Sequence, residues 1–179
     1  TAVWLLVERG KLQLSDKVSE HWPDFAANGK DSITVEHLLV HTSGLIADNA
    51  ITDYADGREK ALERVAALKL QTDPGTRFVY SDVGFIVLGV LVERISGMPV
   101  DKFAKKHVFD PLKMIDTGFT PTDALKKRVA PTGLRDGKII LGDVHDPRAF
   151  KMGGVAGHAG LFGTVSDVAA FGQAVLVDH

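Results

Sequence analysis

The sequence contains no cysteine. That excludes disulfides, thiolate metal sites and a cysteine nucleophile. Charge of one sign is not in excess either: 21 Lys and Arg stand against 23 Asp and Glu, a formal net charge of -2. Without a basic surplus the chain has little to neutralise a phosphate backbone, which argues against a dedicated nucleic-acid binder. Long apolar runs are missing too. A dense one, 85–92, holds eight residues with a glycine among them, against the roughly 20 that a membrane-spanning helix needs. What is present is ordinary globular composition, 179 residues of which 45% are hydrophobic and 25% charged. A chain of that length buries roughly two thirds of its unfolded surface in one core.

The ends are abrupt. Residues 1–9 read as the second half of an amphipathic helix, with no initiator Met and no capping residues ahead of it. A helical pattern over Val165–Val177 stops two residues before the last position. The expectation is an internal piece of a longer protein, forming a single incomplete domain over 1–179.

Helical signals dominate between those ends. The first helix closes at Gly10, and 11–25 reads as a loop with short turns, broken at Pro23. A short helix is expected over 35–41, with Thr34 as N-cap and His37 at its third position. The polar stretch 49–57 reads as an exposed loop, either bordering a cleft or simply solvated. Residues 58–70 carry apolar side chains at helical spacing. Asp73-Pro74-Gly75 is a turn. The stretch 82–95 is apolar nearly all round, the signature of a core helix ended by Gly97 and Pro99. A further short helix is expected over 100–108. The region 129–144 reads as a hairpin turning at Asp136-Gly137. Glycine-rich 157–163 leads into a last helix capped by Thr164, with Asp167 completing an approximate capping box.

Three sets of residues invite chemistry. Gly160-Leu161-Phe162-Gly163 misses both the spacing and the strand-to-helix setting of a dinucleotide loop. His37 and His41 stand four apart, as zinc-protease histidines do, but Leu38 follows His37 where that motif needs Glu. Local packing or hydrogen bonding explains them as well, and no metal is expected. Phe78-Val79-Tyr80-Ser81-Asp82 is more informative. Ser81 or Asp82 as N-cap accounts for the two small polar residues. It does not account for Tyr80, whose hydroxyl stands at the mouth of the core helix. A tyrosine in such a place acts as a general base only when a neighbouring cation lowers its pKa from the ordinary value of about 10.

Four strings then converge. Leu5-Leu6-Val7-Glu8-Arg9-Gly10-Lys11-Leu12 with Leu14-Ser15-Asp16 resembles the end of the nucleophile-bearing helix of serine β-lactamase-like proteins. Leu38-Leu39-Val40-His41-Thr42-Ser43-Gly44-Leu45, after Ile33-Thr34-Val35, resembles that family's LLxHTSGL signature. The run from Pro74 and Gly75 through Tyr80, Ser81 and Asp82 to Phe85 resembles its PGxxFxYSNxGY segment. Gly160 to Thr164, with Asp167 and Phe171, resembles its GGLxSTxxDxxxF segment. In order, the four strings cover nearly the whole chain. The family comprises class C β-lactamases, penicillin-binding D-alanyl-D-alanine peptidases and related esterases.

The resemblance implies an acyl-enzyme mechanism. A serine and a lysine in a Ser-x-x-Lys motif, a tyrosine in a Tyr-x-Asn motif and a later Lys-Thr-Gly or His-x-Gly strand share the work. Tyr80 matches the tyrosine and Asp82 the asparagine; both are expected in catalysis, with Ser81 and His158 as candidate substrate contacts. There are two departures. No Ser or Thr in this sequence has Lys three residues on, so the nucleophile is expected upstream of Thr1. Asp82 replaces an amide that both donates and accepts, whereas a carboxylate only accepts. His158-Ala159-Gly160 spells His-x-Gly, yet Thr164, Asp167 and Phe171 behind it place it in the glycine-rich loop.

The implied fold is α+β of the β-lactamase/transpeptidase type, this chain holding mostly the helical part with a short β-hairpin. The implied activity is a serine hydrolase cleaving an amide, lactam or ester of a small-molecule or peptide substrate, without a cofactor. This piece alone is expected to be inactive. The alternative is a non-catalytic ligand-binding or sensor protein on the same scaffold, which fold alone does not exclude. Apolar faces at Trp4, Leu5 and Val7 and along 83–95 are expected to be uncovered, favouring self-association. The resemblance alone suggests a periplasmic or cell-envelope location.

Overall fold

The most apolar stretch of the sequence becomes the axis of the fold. In the computed structural model, which describes residues 1–177, α5 runs Asp82–Ser96, and nine of its residues from Val83 to Val92 are buried. Ser81 caps it by accepting from the Gly84 amide, and Gly97 closes it in the left-handed conformation. Seven of the nine are Val, Ile or Leu, and burying each such side chain stabilises by about 1.5–3 kcal/mol, so the covering of this helix dominates its surroundings. The expectation of an uncovered face along 83–95 is therefore corrected.

The chain divides into two compact units. The first comprises residues 1–100 with 156–158. In it α1 (Ala2–Glu8), α2 (Val18–His21) and α3 (Val35–Leu39) pack on α5. They bring Leu6, Val18 and Leu38 into one core with Val83, Val87 and Leu91. α1 ends at Gly10 as expected (φ 63°), with Trp4 half exposed and Leu5 and Val7 partly covered. Segment 156–158 returns to α5. A Cβ on Gly157 would lie 2.0 Å from the Phe85 carbonyl oxygen and 2.8 Å from the Gly89 amide nitrogen. Two glycines thus let backbone meet backbone.

Three expectations for this unit need correction. Region 11–25 is not simply a loop, because it contains α2, and Pro23 opens the first of two 3₁₀ turns within Pro23–Ser32, separated by a kink at Ala27, Asn28 and Gly29. α3 stops at Leu39, two residues early, because His41 adopts φ 59°. Stretch 49–57 is not an exposed loop throughout: Asn49 and Tyr54 are buried around a 3₁₀ turn, Ile51–Tyr54. The Tyr54 hydroxyl donates to Asn49 Oδ1 (2.7 Å), and Asn49 donates to Asp53 (2.8 Å). α4 (Arg58–Ala66) follows and buries Ala61, Val65 and Ala66. Lys30 is fully buried beside the end of α4. Its ammonium donates to the Ala27 and Leu68 carbonyls and lies over the Phe25 ring.

The second unit holds 101–155 and 159–179, described to 177. The expected helix over 100–108 appears as α6 (Val100–Ala104) and a π-turn, Lys105–Phe109. β2 (Gly133–Arg135) and β3 (Lys138–Ile140) form the expected hairpin, Gly133 opposite Ile140. Asp136 (φ 51°) and Gly137 (φ 73°) both take the positive φ of a type I′ turn. A second antiparallel pair, β1 (Gly118–Phe119) with β4 (Leu161–Phe162), was not legible in the sequence. α7 (Asp123–Lys126) and α8 (Pro147–Lys151) are single turns, each capped by the preceding side chain. α9 runs Val165–Val177. Thr164 accepts from the Asp167 amide, but the Asp167 carboxylate does not close a capping box. It accepts instead from the Asp116 amide (3.0 Å) and the Thr117 hydroxyl (2.7 Å). No single helix among the described residues is long and apolar enough to cross a membrane.

Candidate active site

Two sequence strings that lie far apart become one surface in the first unit. Residues 41–44 run against 71–82 without forming a regular sheet. The His37 carbonyl ends α3 by accepting from Thr42 (2.8 Å). The Thr42 carbonyl accepts from Gly75 and the Gly44 carbonyl from Gln71, each at 2.8 Å. A Cβ on Gly44 would stand 2.1 Å from the Thr72 carbonyl oxygen, at φ 77°. Only glycine lets the two strands of loop approach this closely.

His37 and His41 part company here. The His37 ring turns back to accept from the Thr34 amide (3.2 Å), while Thr34 accepts from the His37 amide, a capping box with imidazole as second partner. His41 lies beyond the helix and faces the aromatic residues of the second string. Its ring centroid is 4.5 Å from that of Tyr80, 5.0 Å from Phe85 and 5.7 Å from Phe78. The i, i+4 spacing therefore does not gather the two histidines on one helix face. Elsewhere in this unit Asp16, Glu20 and His21 bring candidate ligand atoms within 4.8 Å of one another. Asp16 Oδ2 already accepts from the Gln13 amide and approaches His21 at 3.2 Å.

The residues singled out from the sequence occupy distinct settings. Tyr80 is 65% exposed. Ser81 is buried: its hydroxyl donates to the Ile46 carbonyl (2.7 Å) and accepts from Gly84 (3.1 Å). Asp82 opens α5, half-buried, its amide donating to the Ala47 carbonyl (3.0 Å). His158, also half-buried, is delivered by the Gly157 approach to α5. It offers a nitrogen within 4.8 Å of an Asp82 carboxylate oxygen. Tyr80, Ser81 and Asp82 thus sit at the N-terminal end of the buried helix, and His158 joins Asp82 from more than 70 positions later in the chain.

A groove of about 570 Å³ in the same unit lies elsewhere, lined by Trp22, Arg58, Leu62, Val90, Glu93 and Arg94. Tyr80 is not among its walls. The groove meets the C-terminal half of α5, and a 15-residue helix spans about 22 Å at 1.5 Å per residue. Its floor is a structural pairing of Arg58 with Glu93 at 2.6 Å and Arg94 over the Trp22 ring.

The residue that sequence reasoning left as local packing is His41. Its only signal was position: it stands in the string that resembles LLxHTSGL, just past a helix end. Its partners lie about 40 residues downstream, beyond any helical or strand period.

Comparison with known proteins places the chain in a family. The Beta-lactamase family model matches residues 1–179. A putative D-alanyl-D-alanine carboxypeptidase of Escherichia coli (strain K12) is 33% identical, over 98% of this chain and 47% of its own length. An N-acetylmuramyl-L-alanine amidase of Bacillus subtilis (strain 168) is 35% identical, over 98% of this chain and 46% of its own. The chain thus spans about half the length of these curated relatives. A penicillin-binding protein homolog from Caulobacter crescentus matches in structure with TM-score 0.71 at 22% identity, over 97% of this chain and 52% of that one, which is likeness of fold. With its α+β architecture and a family match over its full length, the chain belongs to the Beta-lactamase family.

Proposed function

We propose that this chain is part of a serine hydrolase that cleaves an amide, lactam or ester through an acyl-enzyme, with Tyr80 moving the proton. The observation that carries the reading is the setting of Tyr80. A large aromatic side chain, 65% exposed, stands on a ring platform at the N-terminal end of the most buried helix. Its hydroxyl makes no hydrogen bond with a described residue. A phenol held at the ring and open at the oxygen is suited to exchanging a proton with a group brought to it.

The roles follow from the chemistry of each group. The Tyr80 phenolate takes the hydroxyl proton of a serine contributed from outside residues 1–179 as that oxygen attacks the substrate carbonyl, and passes the proton to the leaving group; water then hydrolyses the acyl-enzyme and frees the serine. A lysine ammonium from the same source sits near enough to Tyr80 to favour the phenolate. Asp82, acceptor-only when ionised, holds that ammonium. Ser81 acts as the N-cap that fixes the backbone between Tyr80 and Asp82, and His158 meets substrate beside Asp82. The names of the two relatives, a carboxypeptidase and an amidase, both denote amide-bond cleavage, which ranks an amide ahead of an ester. No cofactor is needed for these steps.

The test is Tyr80→Phe in the full-length protein, read as turnover of nitrocefin and p-nitrophenyl acetate. Loss of a positioned general base lowers kcat by about 10²–10⁴-fold. Unchanged kcat would remove Tyr80 from the reaction. No turnover by the unsubstituted full-length protein, together with ligand retention, would favour a binder on this scaffold. Residues 1–179 alone are expected to turn over neither substrate.

A further inference from the structure

We propose that His41 is a positioning residue for Tyr80: it fixes the backbone on both sides of the tyrosine and supplies the surface against which the phenol stands. The inference rests on the reading of Tyr80 as the proton-transfer residue.

Among the described residues none hydrogen-bonds the Tyr80 hydroxyl, so the contacts that set its direction there are at the ring and the backbone. His41 supplies both. Its carbonyl accepts from the Val79 amide at 2.8 Å. Its Nδ1 accepts from the Ser81 amide at 3.1 Å. The residues immediately before and after Tyr80 are thus bonded to one and the same histidine, 40 positions from Ser81. The imidazole then lies against the phenol, centroids 4.5 Å apart and planes 33° apart. Phe85, on the first turn of α5, stacks on the same imidazole at 5.0 Å and 25°. The phenol is therefore referenced, through His41, to the buried helix.

Two features separate this from incidental packing. His41 adopts φ 59°, a region that costs a residue with a Cβ about 1–2 kcal/mol. Its neighbours hold it there despite that cost, as strained residues at working sites are held. The lone pair is also on a specified nitrogen: Nδ1 accepts, so the ring proton resides on Nε2. The bond to Ser81 needs an acceptor at the δ position. Asparagine Oδ1 can offer one, and asparagine tolerates positive φ. Glycine accepts positive φ as well but offers no acceptor and no ring.

The experiment compares His41→Gly, His41→Asn and Tyr80→Phe in the full-length protein. The readout is the acylation burst and the kcat and KM for p-nitrophenyl acetate, with melting temperature measured alongside. His41→Gly is expected to lower kcat by about 10²-fold with little change in KM, the scale of a 1 Å misplacement of a reacting group. His41→Asn is expected to recover at least about tenfold of that loss through the restored acceptor. A residue with only a folding role would lower melting temperature and leave kcat per folded molecule alike in both variants. The proposal is overturned if His41→Gly retains kcat within about threefold of the original, or if His41→Asn is no better than His41→Gly. Tyr80→Phe separates the two layers. If it keeps full activity, the Tyr80 reading itself fails; if it is inactive while His41→Gly is not, only the positioning role fails.

Discussion

The two compact units use the same kinds of residue to different ends. In the first, apolar side chains are gathered around α5, and the large ones left in the open are few: Trp4, Val40, Ile51, Phe78 and Tyr80. Three of those five, Val40, Phe78 and Tyr80, belong to the two strings that carry the candidate site. In the second, Ile115, Leu134, Ile139, Leu161, Val165, Val168 and Leu176 are all more than half exposed. Among its described residues the sheets are two separate pairs of strands two or three residues long. The lesson is that exposure of an apolar residue points to function only where its surroundings are otherwise closed. Tyr80 stands out because the helix behind it is buried; Val165 does not, because it is one of many.

That contrast can be broken first at Gly157. Replacing it with Ala drives a Cβ to 2.0 Å from the Phe85 carbonyl oxygen, with backbone rather than a flexible side chain in the way. Gly157→Ala should destabilise the first unit by about 3 kcal/mol or more. Hydrogen exchange along α5 in the full-length protein reads the change, and wild-type protection there would show that the 156–158 segment is not held as described.

A smaller effect is expected in the second unit at Asp167. Its carboxylate serves both the Asp116 amide and the Thr117 hydroxyl, so Asp167→Ala leaves two donors without a partner. The expected loss is about 2 kcal/mol by urea denaturation. A change within experimental error would mean that water replaces the carboxylate at no cost, and that this unit is looser than its hydrogen bonds imply.

The smallest effect concerns Lys30. Burial pushes its ammonium below the ordinary lysine value of 10.5. Because the folded-state value is the lower one, the unfolded chain binds more protons between the two, and stability rises with pH across that window. The charged ammonium costs stability at neutral pH, and the cost is relieved as pH approaches 10.5. Lys30→Met should flatten that rise, measured as the difference between urea midpoints at pH 7 and about pH 10. Equal slopes in the two proteins would show that the carbonyls of Ala27 and Leu68 compensate the burial fully.

These comparisons also show what a sequence makes legible. α5 was readable because its apolar residues run all round, and its ends because Ser81 and Gly97 are capping types. The hairpin was readable because Asp136-Gly137 suits one turn. All of that is local chemistry. Asn49 and Tyr54 were misjudged because a polar stretch can bury two side chains when they satisfy each other. Lys30 was invisible because its second carbonyl lies 38 residues away. The β1–β4 pair joins segments of two residues, too short for any period to register. In the candidate site, Tyr80 and Asp82 were found from their string, whereas the tie between Ser81 and His41 spans 40 residues and left no pattern to read.

The most direct measurement is a trapping experiment for the proposed acyl-enzyme. The full-length protein is incubated with a fluorophosphonate or a labelled penicillin, and the adduct is located by peptide mass spectrometry. One modified serine is expected, outside residues 1–179 and followed three positions later by lysine, with labelling slowed by Tyr80→Phe. An adduct on Ser43 or Ser81, or on any other hydroxyl of this chain, would contradict it.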